Sequence, residues 1–301
     1  MSSVEMHVGQ LRVTADMVGD LIAQQFPEWG SLPIRRVRPG GTVNAIFRIG
    51  DELAARLPLQ LHDVERVRAG LESHADAARR VGGATSFPVP EPVAIGEPGA
   101  AYPLPWSLQT WLPGVTADED DPSSSEAFAV DLAGFIGDVR SLDTEGRTFD
   151  GTNRGGDLRF DEEWMAHCFA QSEGLVDVTS LWSIWEGLRE LPRRSPDVMT
   201  HGDLIPGNVL VENGRLAGVL DVGGLAPADP ALDLVGAWHL LDHTPRQVLR
   251  TELDCDDLEW ERGKAWALQQ AMGAAWYYRR SNPAMHDMGT RTLGRILADE
   301  S

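Results

Sequence analysis

The sequence predicts an α+β chain in two lobes: an N-terminal lobe built on an antiparallel β-sheet and a larger, mainly helical C-terminal lobe. Three observations carry this. The chain has 301 residues, long for one hydrophobic core and comfortable for two. Before residue 112, short alternating runs are punctuated by Pro-Gly-Gly and Gly-Asp turns, the pattern of strands and hairpins. After Pro113-Gly114 the apolar residues recur three and four apart, the period of amphipathic helices. The expected lobes are residues 1–112, ending in a hinge near Gln109–Gly114, and residues 113–301.

Residues 14–26 predict a short helix capped by Thr14, with Met17, Leu21, Ile22 and Gln25 on one face. Strands are expected over Ile34–Arg38, Ala45–Ile49 and Leu53–Leu57, and a helix over 63–81 with Val64, Val67, Leu71, Ala75, Ala78 and Val81 in one stripe. The proline-rich stretch 86–113 reads as extended. In the second lobe an acidic loop leads to Ser123 and Glu126, spaced as a capping box. The helix that follows carries Phe128, Leu132, Phe135, Ile136, Val139 and Leu142. Further helices are expected over 161–171, 178–191 and much of 231–301, where Trp238, Trp260, Trp266 and Trp276 read as core anchors.

Composition excludes several classes. Hydrophobic residues at 42% and charged residues at 24% describe a soluble globular chain rather than a disordered one. The net charge of −20 disfavours nucleic acid and anionic membrane as partners, since both reward a basic face. The excess sits in residues 113–301, with 34 acidic against 16 basic groups, compared with 12 against 10 before them. A cleft in that second part would attract cations. Two cysteines, Cys168 and Cys255, make neither a disulfide framework nor a metal cluster. There is no signal-like N-terminus and no apolar run of about 18 residues, so a cytoplasmic protein is expected.

The chemistry concentrates in the stretch from His201 to Gly224. Val209–Glu212 and Arg215–Leu220 flank Asn213-Gly214, a strong hairpin signal because both turn positions want a positive φ. With that turn, opposing residues sum to 427, so Asn208 is expected to face Val219, with Asp221 two residues beyond on the same face. Asp203 lies just upstream in a loop containing Gly and Pro. Two carboxylates and an amide at one hairpin mouth suit Mg²⁺, which takes oxygen ligands and is completed by substrate phosphates. Phosphoryl transfer needs such a site, with one group orienting the nucleophile and others holding the metal.

His201, Asp203, Leu204 and Asn208 match the H-R-D-L-x-x-x-N loop of protein kinases, with Gly202 in place of Arg, and Asp221 and Gly223 match D-F-G. The form H-G-D-x-x-x-x-N resembles the aminoglycoside phosphotransferases and related small-molecule kinases. So do Gly40, Gly41 and Asn44 in a G-G-x-x-N turn, the runs Tyr102–Gly114 and Arg154–Gly156, and Asp229-Pro-Ala-Leu-Asp233. The resemblance covers roughly residues 30–300 and implies a bilobal protein-kinase-like fold. It implies Asp203 as the catalytic base, Asn208 and Asp221 as Mg²⁺ ligands, and His201 as structural within the catalytic loop. Asp229 and Asp233 are expected to cap and brace a helix rather than do chemistry, with Asp229 structural in the same loop region.

For the nucleotide, the resemblance places Gly40 and Gly41 near the phosphates, Arg56 where the family has a lysine, and Glu72 as the partner of Arg56. Backbone near Thr110 and Leu112 would meet the base. The implied activity is transfer of the γ-phosphate of ATP or GTP to a hydroxyl of a small, cationic molecule, above all an aminoglycoside antibiotic, giving resistance. A macrolide or another metabolite is the alternative acceptor, and a nucleotide-binding pseudokinase the alternative class. A monomer or homodimer is expected.

Overall fold

The computed structural model describes residues 10–37 and 43–299. The chain divides into two compact units: one takes in the chain up to Gly82 together with Val89–Pro113, the other Gly83–Pro88 with the chain from Gly114 onward.

The first unit is an antiparallel sheet backed by helices. Thr14 caps α1 (Ala15–Gln25), its hydroxyl accepting from the Met17 N–H. The buried stripe of α1 is Val18, Leu21 and Ile22, whereas Met17 and Gln25 stay at the margin. Strands β1 (Ile34–Arg36), β2 (Asn44–Ile49) and β3 (Leu53–Pro58) follow, then α2 (Val64–Ala84), β4 (Pro92–Gly96) and β5 (Trp106–Thr110). The sheet order is β1-β2-β3-β5-β4, which makes β3 central. On β2 the residues alternate, with Ala45, Phe47 and Ile49 buried. They pack with Leu53, Ala55 and Leu57 of β3, Leu108 of β5 and the apolar face of α1 into one core. Ile46 pairs with Arg56, and Arg56 with Ser107. Asn44 and Arg56 therefore share the opposite face of the sheet.

The second unit is mainly helical. After β6 (Val115–Thr116) come α3 (Glu126–Arg140), α4 (Glu162–Gln171) and α5 (Val178–Leu188). The cap of α3 is Ser125 rather than Ser123: the Ser125 hydroxyl accepts from Phe128 N–H, while Ser123 N–H is held by Asp121. Strand β7 (Val198–Thr200), the hairpin β8 (Val209–Glu212) and β9 (Arg215–Val219), and β10 (Ala226–Ala228) precede α6 (Val235–Leu240), α7 (His243–Glu252), α8 (Asp257–Tyr277) and α9 (Pro283–Asp299). α8 is buried along most of its length, which explains its lack of a clean amphipathic pattern. Trp238, Trp260 and Trp266 are buried as expected, and Trp276 partly so. Residues 83–88 join this unit through specific contacts. Thr85 donates to Asp138 at 2.8 Å, Phe87 meets Phe135 edge-on, and the Val219 N–H donates to the Pro88 carbonyl. Among the described residues no helix is long and apolar enough to cross a membrane.

Candidate active site

The hairpin turn forms as its Asn-Gly pair dictates, with φ of 54° at Asn213 and 70° at Gly214. Glu212 pairs with Arg215 and Val211 with Leu216, the expected register. A bulge then shifts it: Leu210 faces Gly218 and Val209 faces Val219. Asn208 consequently lies opposite Leu220, whose N–H donates to the Asn208 carbonyl at 2.7 Å, and not opposite Val219. Asp221 follows directly, and its φ of 58° takes it out of strand geometry, so strand alternation does not govern its direction.

The loop that carries Asp203 is held by buried groups. His201 accepts the Asp203 N–H on Nδ1 and lies 2.9 Å from the Leu220 carbonyl through Nε2. A carbonyl can only accept, so Nε2 carries the ring proton. Asp233, fully buried, accepts the N–H groups of His201 (2.8 Å) and Gly202 (2.7 Å). Asp229 does not serve this loop. Its carboxylate accepts the Ala231 N–H and is gripped by Arg262 and by the Trp266 indole. Asp229 caps the helical turn that follows it, as expected, while the support of the loop that carries Asp203 comes from Asp233, the second aspartate of the same five-residue run. Gly202 has φ of 78°, a backbone state that excludes the arginine of H-R-D without strain.

Asp203 is half-exposed at this loop. The Asn208 amide nitrogen donates to both the Asp203 carbonyl and Oδ2, each at 3.0 Å. Two acceptors at one end fix that end as the NH₂ group, so the Asn208 amide oxygen is the atom at the other end. Arg154 donates to Oδ1 at 3.1 Å. The sequence shows Arg154 only as part of a resembling stretch; no local signal links it to a residue 49 positions later. Among the described residues, no group of three or more His, Cys, Asp or Glu side chains forms a metal cage. An amide oxygen and the Asp221 carboxylate fit Mg²⁺, which is commonly held by one or two protein oxygens plus phosphates.

A cleft of about 1150 Å³ in the second unit reaches Asp203 and Arg154. Phe149 and Trp164 supply aromatic surface, and its charged lining is Asp150, Asp161 and Asp203 beside Arg147 and Arg154. The acidity of the second unit is therefore not concentrated here. Burial raises the Asp161 carboxyl above its ordinary value, against the Arg154 charge and a hydrogen bond to Gln269. Burial also pushes the thiols up, Cys168 to about 11 and Cys255 to about 12, so neither is a thiolate nucleophile at neutral pH.

In the first unit, Gly40 and Gly41 lie outside the described residues. Asn44 begins β2, and Arg56 is half-buried on the central strand. Glu72 is exposed on α2, and its charge, with that of Glu65, raises the pKa of Arg68 behind the hydrogen bond and charge of Glu97. The Thr110 N–H is committed to the Glu91 carbonyl and that of Trp111 to Glu52.

The model of the phosphotransferase enzyme family matches residues 34–267, which takes in both units and every residue of the catalytic loop. The chain belongs to the phosphotransferase enzyme family. The aminoglycoside 3'-phosphotransferase of Streptomyces fradiae is 33% identical over 169 residues, covering 52% of this chain and 59% of that protein. The chain spans about half the length of the curated relatives it matches. Among solved structures, a GDP complex of aminoglycoside 2'-phosphotransferase-IIIa superposes with a TM-score of 0.68 over 96% of this chain and 100% of that one, at 17% identity. A macrolide 2'-phosphotransferase from Brachybacterium faecium gives 0.60 over 93% and 97%, at 18% identity. At such identities the likeness shows the fold, the protein-kinase-like class to which these phosphotransferases belong.

Proposed function

We propose that the protein is a kinase of small hydroxylated molecules, transferring the γ-phosphate of ATP or GTP to an alcohol, with an aminoglycoside-type antibiotic as preferred acceptor and resistance as the outcome. The observation that carries the reading is the Asp203 carboxylate, held at a cleft mouth by Asn208 and Arg154. Asp203 would accept a hydrogen bond from the acceptor hydroxyl and take its proton as the new O–P bond forms and the bond to the β-phosphate breaks, releasing the nucleoside diphosphate. The Asn208 amide oxygen and Asp221 would hold Mg²⁺, which when bound neutralises charge on the phosphates. In the first unit Arg56 would meet phosphate and Leu112 the base. His201 and Asp233 keep the loop in shape and touch no reacting atom.

A cationic acceptor agrees with the aminoglycoside phosphotransferases among the relatives. The cleft itself favours a second reading. Two arginines nearly balance its three aspartates, and Phe149 and Trp164 add aromatic wall, which suits an acceptor with one amine and much apolar surface, such as a macrolide. A coupled assay of nucleotide turnover with Mg²⁺, kanamycin and erythromycin separates the readings. Kanamycin-dependent turnover is expected; erythromycin-dependent turnover alone would move the acceptor to the macrolide class. Nucleotide binding with no turnover on any acceptor or water would make the chain a pseudokinase.

A further inference from the structure

We infer that Arg154 is a positioning residue for the base, clamping the Asp203 carboxylate from the side opposite Asn208. The inference rests on the reading of Asp203 as the base. A carboxylate held at one oxygen can still swivel about its Cβ–Cγ bond; one held at both has its plane defined. Here Arg154 takes Oδ1 at 3.1 Å and Asn208 takes Oδ2 at 3.0 Å. The same Arg154 nitrogen lies 3.5 Å from the Gly202 carbonyl, so it meets the backbone of the catalytic loop as well.

An arginine on a free surface loop would add little, because exposed ion pairs contribute about 0–1 kcal/mol and are averaged by side-chain motion. Arg154 does not ride on a free loop. Asn153 and Gly155 on either side of it both have positive φ, 59° and 114°. A Cβ on Gly155 would come within 2.5 Å of the Ala228 Cβ, so the backbone is pressed against β10. The Gly155 carbonyl accepts the Asp229 N–H at 2.9 Å, and the Gly156 carbonyl accepts from Arg262 at 3.3 Å. Arg262 and Asp229 are themselves a buried pair, with Arg262 also donating to the Leu191 carbonyl. The segment carrying Arg154 is therefore bolted to the core of the unit.

This gives the two aspartates of the Asp229–Asp233 run complementary tasks. Asp233 holds the loop that carries Asp203, and Asp229 holds the loop that carries Arg154. The clamp leaves room for a hydroxyl, since a carboxylate offers about four lone-pair positions. The Asp203 side chain keeps 42% of its surface exposed.

The test is a double-mutant cycle on the full chain, with Mg·ATP and Mg·GTP turnover followed with water and then with kanamycin as acceptor. Arg154→Ala should lower kcat about 10- to 100-fold, the scale of a misplaced catalytic group, with nucleotide KM within about twofold of the parent. Arg154→Lys should recover part of kcat, keeping the charge but not the fork. Added to Asp203→Asn, Arg154→Ala should cost nothing further, because its effect runs through the carboxylate. Arg154→Gln serves if the alanine variant loses folding, as melting temperature will report. Losses that multiply, or an unchanged kcat in Arg154→Ala beside a dead Asp203→Asn, overturn the clamp and leave the kinase reading standing. A raised kcat would make the pair an inhibitory latch and also overturn it. Full turnover in Asp203→Asn, or none in the parent with water, kanamycin or erythromycin, defeats the base assignment itself and the inference with it.

Discussion

Gly202 and Asp221 show how single residues set this site through backbone states that few side chains accept. Gly202 at φ 78° presents its N–H to Asp233 while the chain turns into Asp203. A side chain there costs about 1–2 kcal/mol in the left-handed region. Gly202→Ala should lower the unfolding free energy from urea titration by that much and reduce kcat, because the strain is relieved by moving Asp203; a variant with parental stability and kcat would show the glycine to be incidental. Asp221 occupies the same region at φ 58°, which Asn tolerates well and Ala poorly. Asp221→Asn therefore isolates charge from conformation. With Asp221 as a metal ligand, the variant should keep its melting temperature and lose most of the Mg²⁺-dependent tightening of ADP in calorimetry. An unchanged Mg²⁺ dependence would remove Asp221 from the metal site.

At the scale of elements, the α3 cap ties helix to hairpin: the Ser125 hydroxyl accepts from the Phe128 N–H and donates to the Gly214 carbonyl at 2.7 Å. Ser125→Ala should cost about 1 kcal/mol or somewhat more in a urea titration, a normal cap loss plus the lost turn contact. Ser123→Ala should be near neutral, and the reverse order would restore the capping box that spacing alone suggests. Such cases show what was legible in the chain. The Asn-Gly turn, the strand alternation of β2 and the helical stripe of α3 from Phe128 to Val139 are local patterns, and each formed as read, although α3 ends at Arg140, short of Leu142. The bulge after Val211 was not legible, because an extra residue in β9 is chosen by packing rather than by turn chemistry. Which of the two bracing aspartates, Asp229 or Asp233, serves the loop that carries Asp203 was not legible either: both sit in one motif, and only the fold decides which one faces His201. Arg154 stayed silent for the same reason, its partner being distant in sequence.

For the whole molecule, the net charge of −20 is spread over surfaces and ion pairs instead of being gathered at the cleft, so it bears more on solubility than on recognition. Its response to acid turns on a different group. His239 is fully buried on α6. Its Nδ1 lies 2.9 Å from the Thr292 hydroxyl and its Nε2 3.2 Å from the Gln270 Oε1, an arrangement that satisfies a neutral ring. Burial drives its pKa down to about 3, with the charges of Arg154 and Arg295 pushing the same way. In the unfolded chain this imidazole titrates near 6.5. Between those values the unfolded state binds a proton that the folded state refuses, so stability is fully present above about pH 6.5 and falls as pH drops toward 3. The slope approaches about 1.4 kcal/mol per pH unit. Asp157, held at about 2 chiefly by its hydrogen bond with Arg159, adds a loss only below the ordinary carboxylate range. Between about pH 5 and 6.5 the comparison of urea midpoints of the parent and a His239 variant isolates the histidine, because the raised Asp161 carboxyl, whose effect has the opposite sign, is common to both. The parent should lose stability steeply across that window. His239→Gln, which keeps a donor toward Gln270 and cannot ionise, should start lower and fall less. Parallel slopes in the two proteins would show that the acid sensitivity of the fold lies elsewhere.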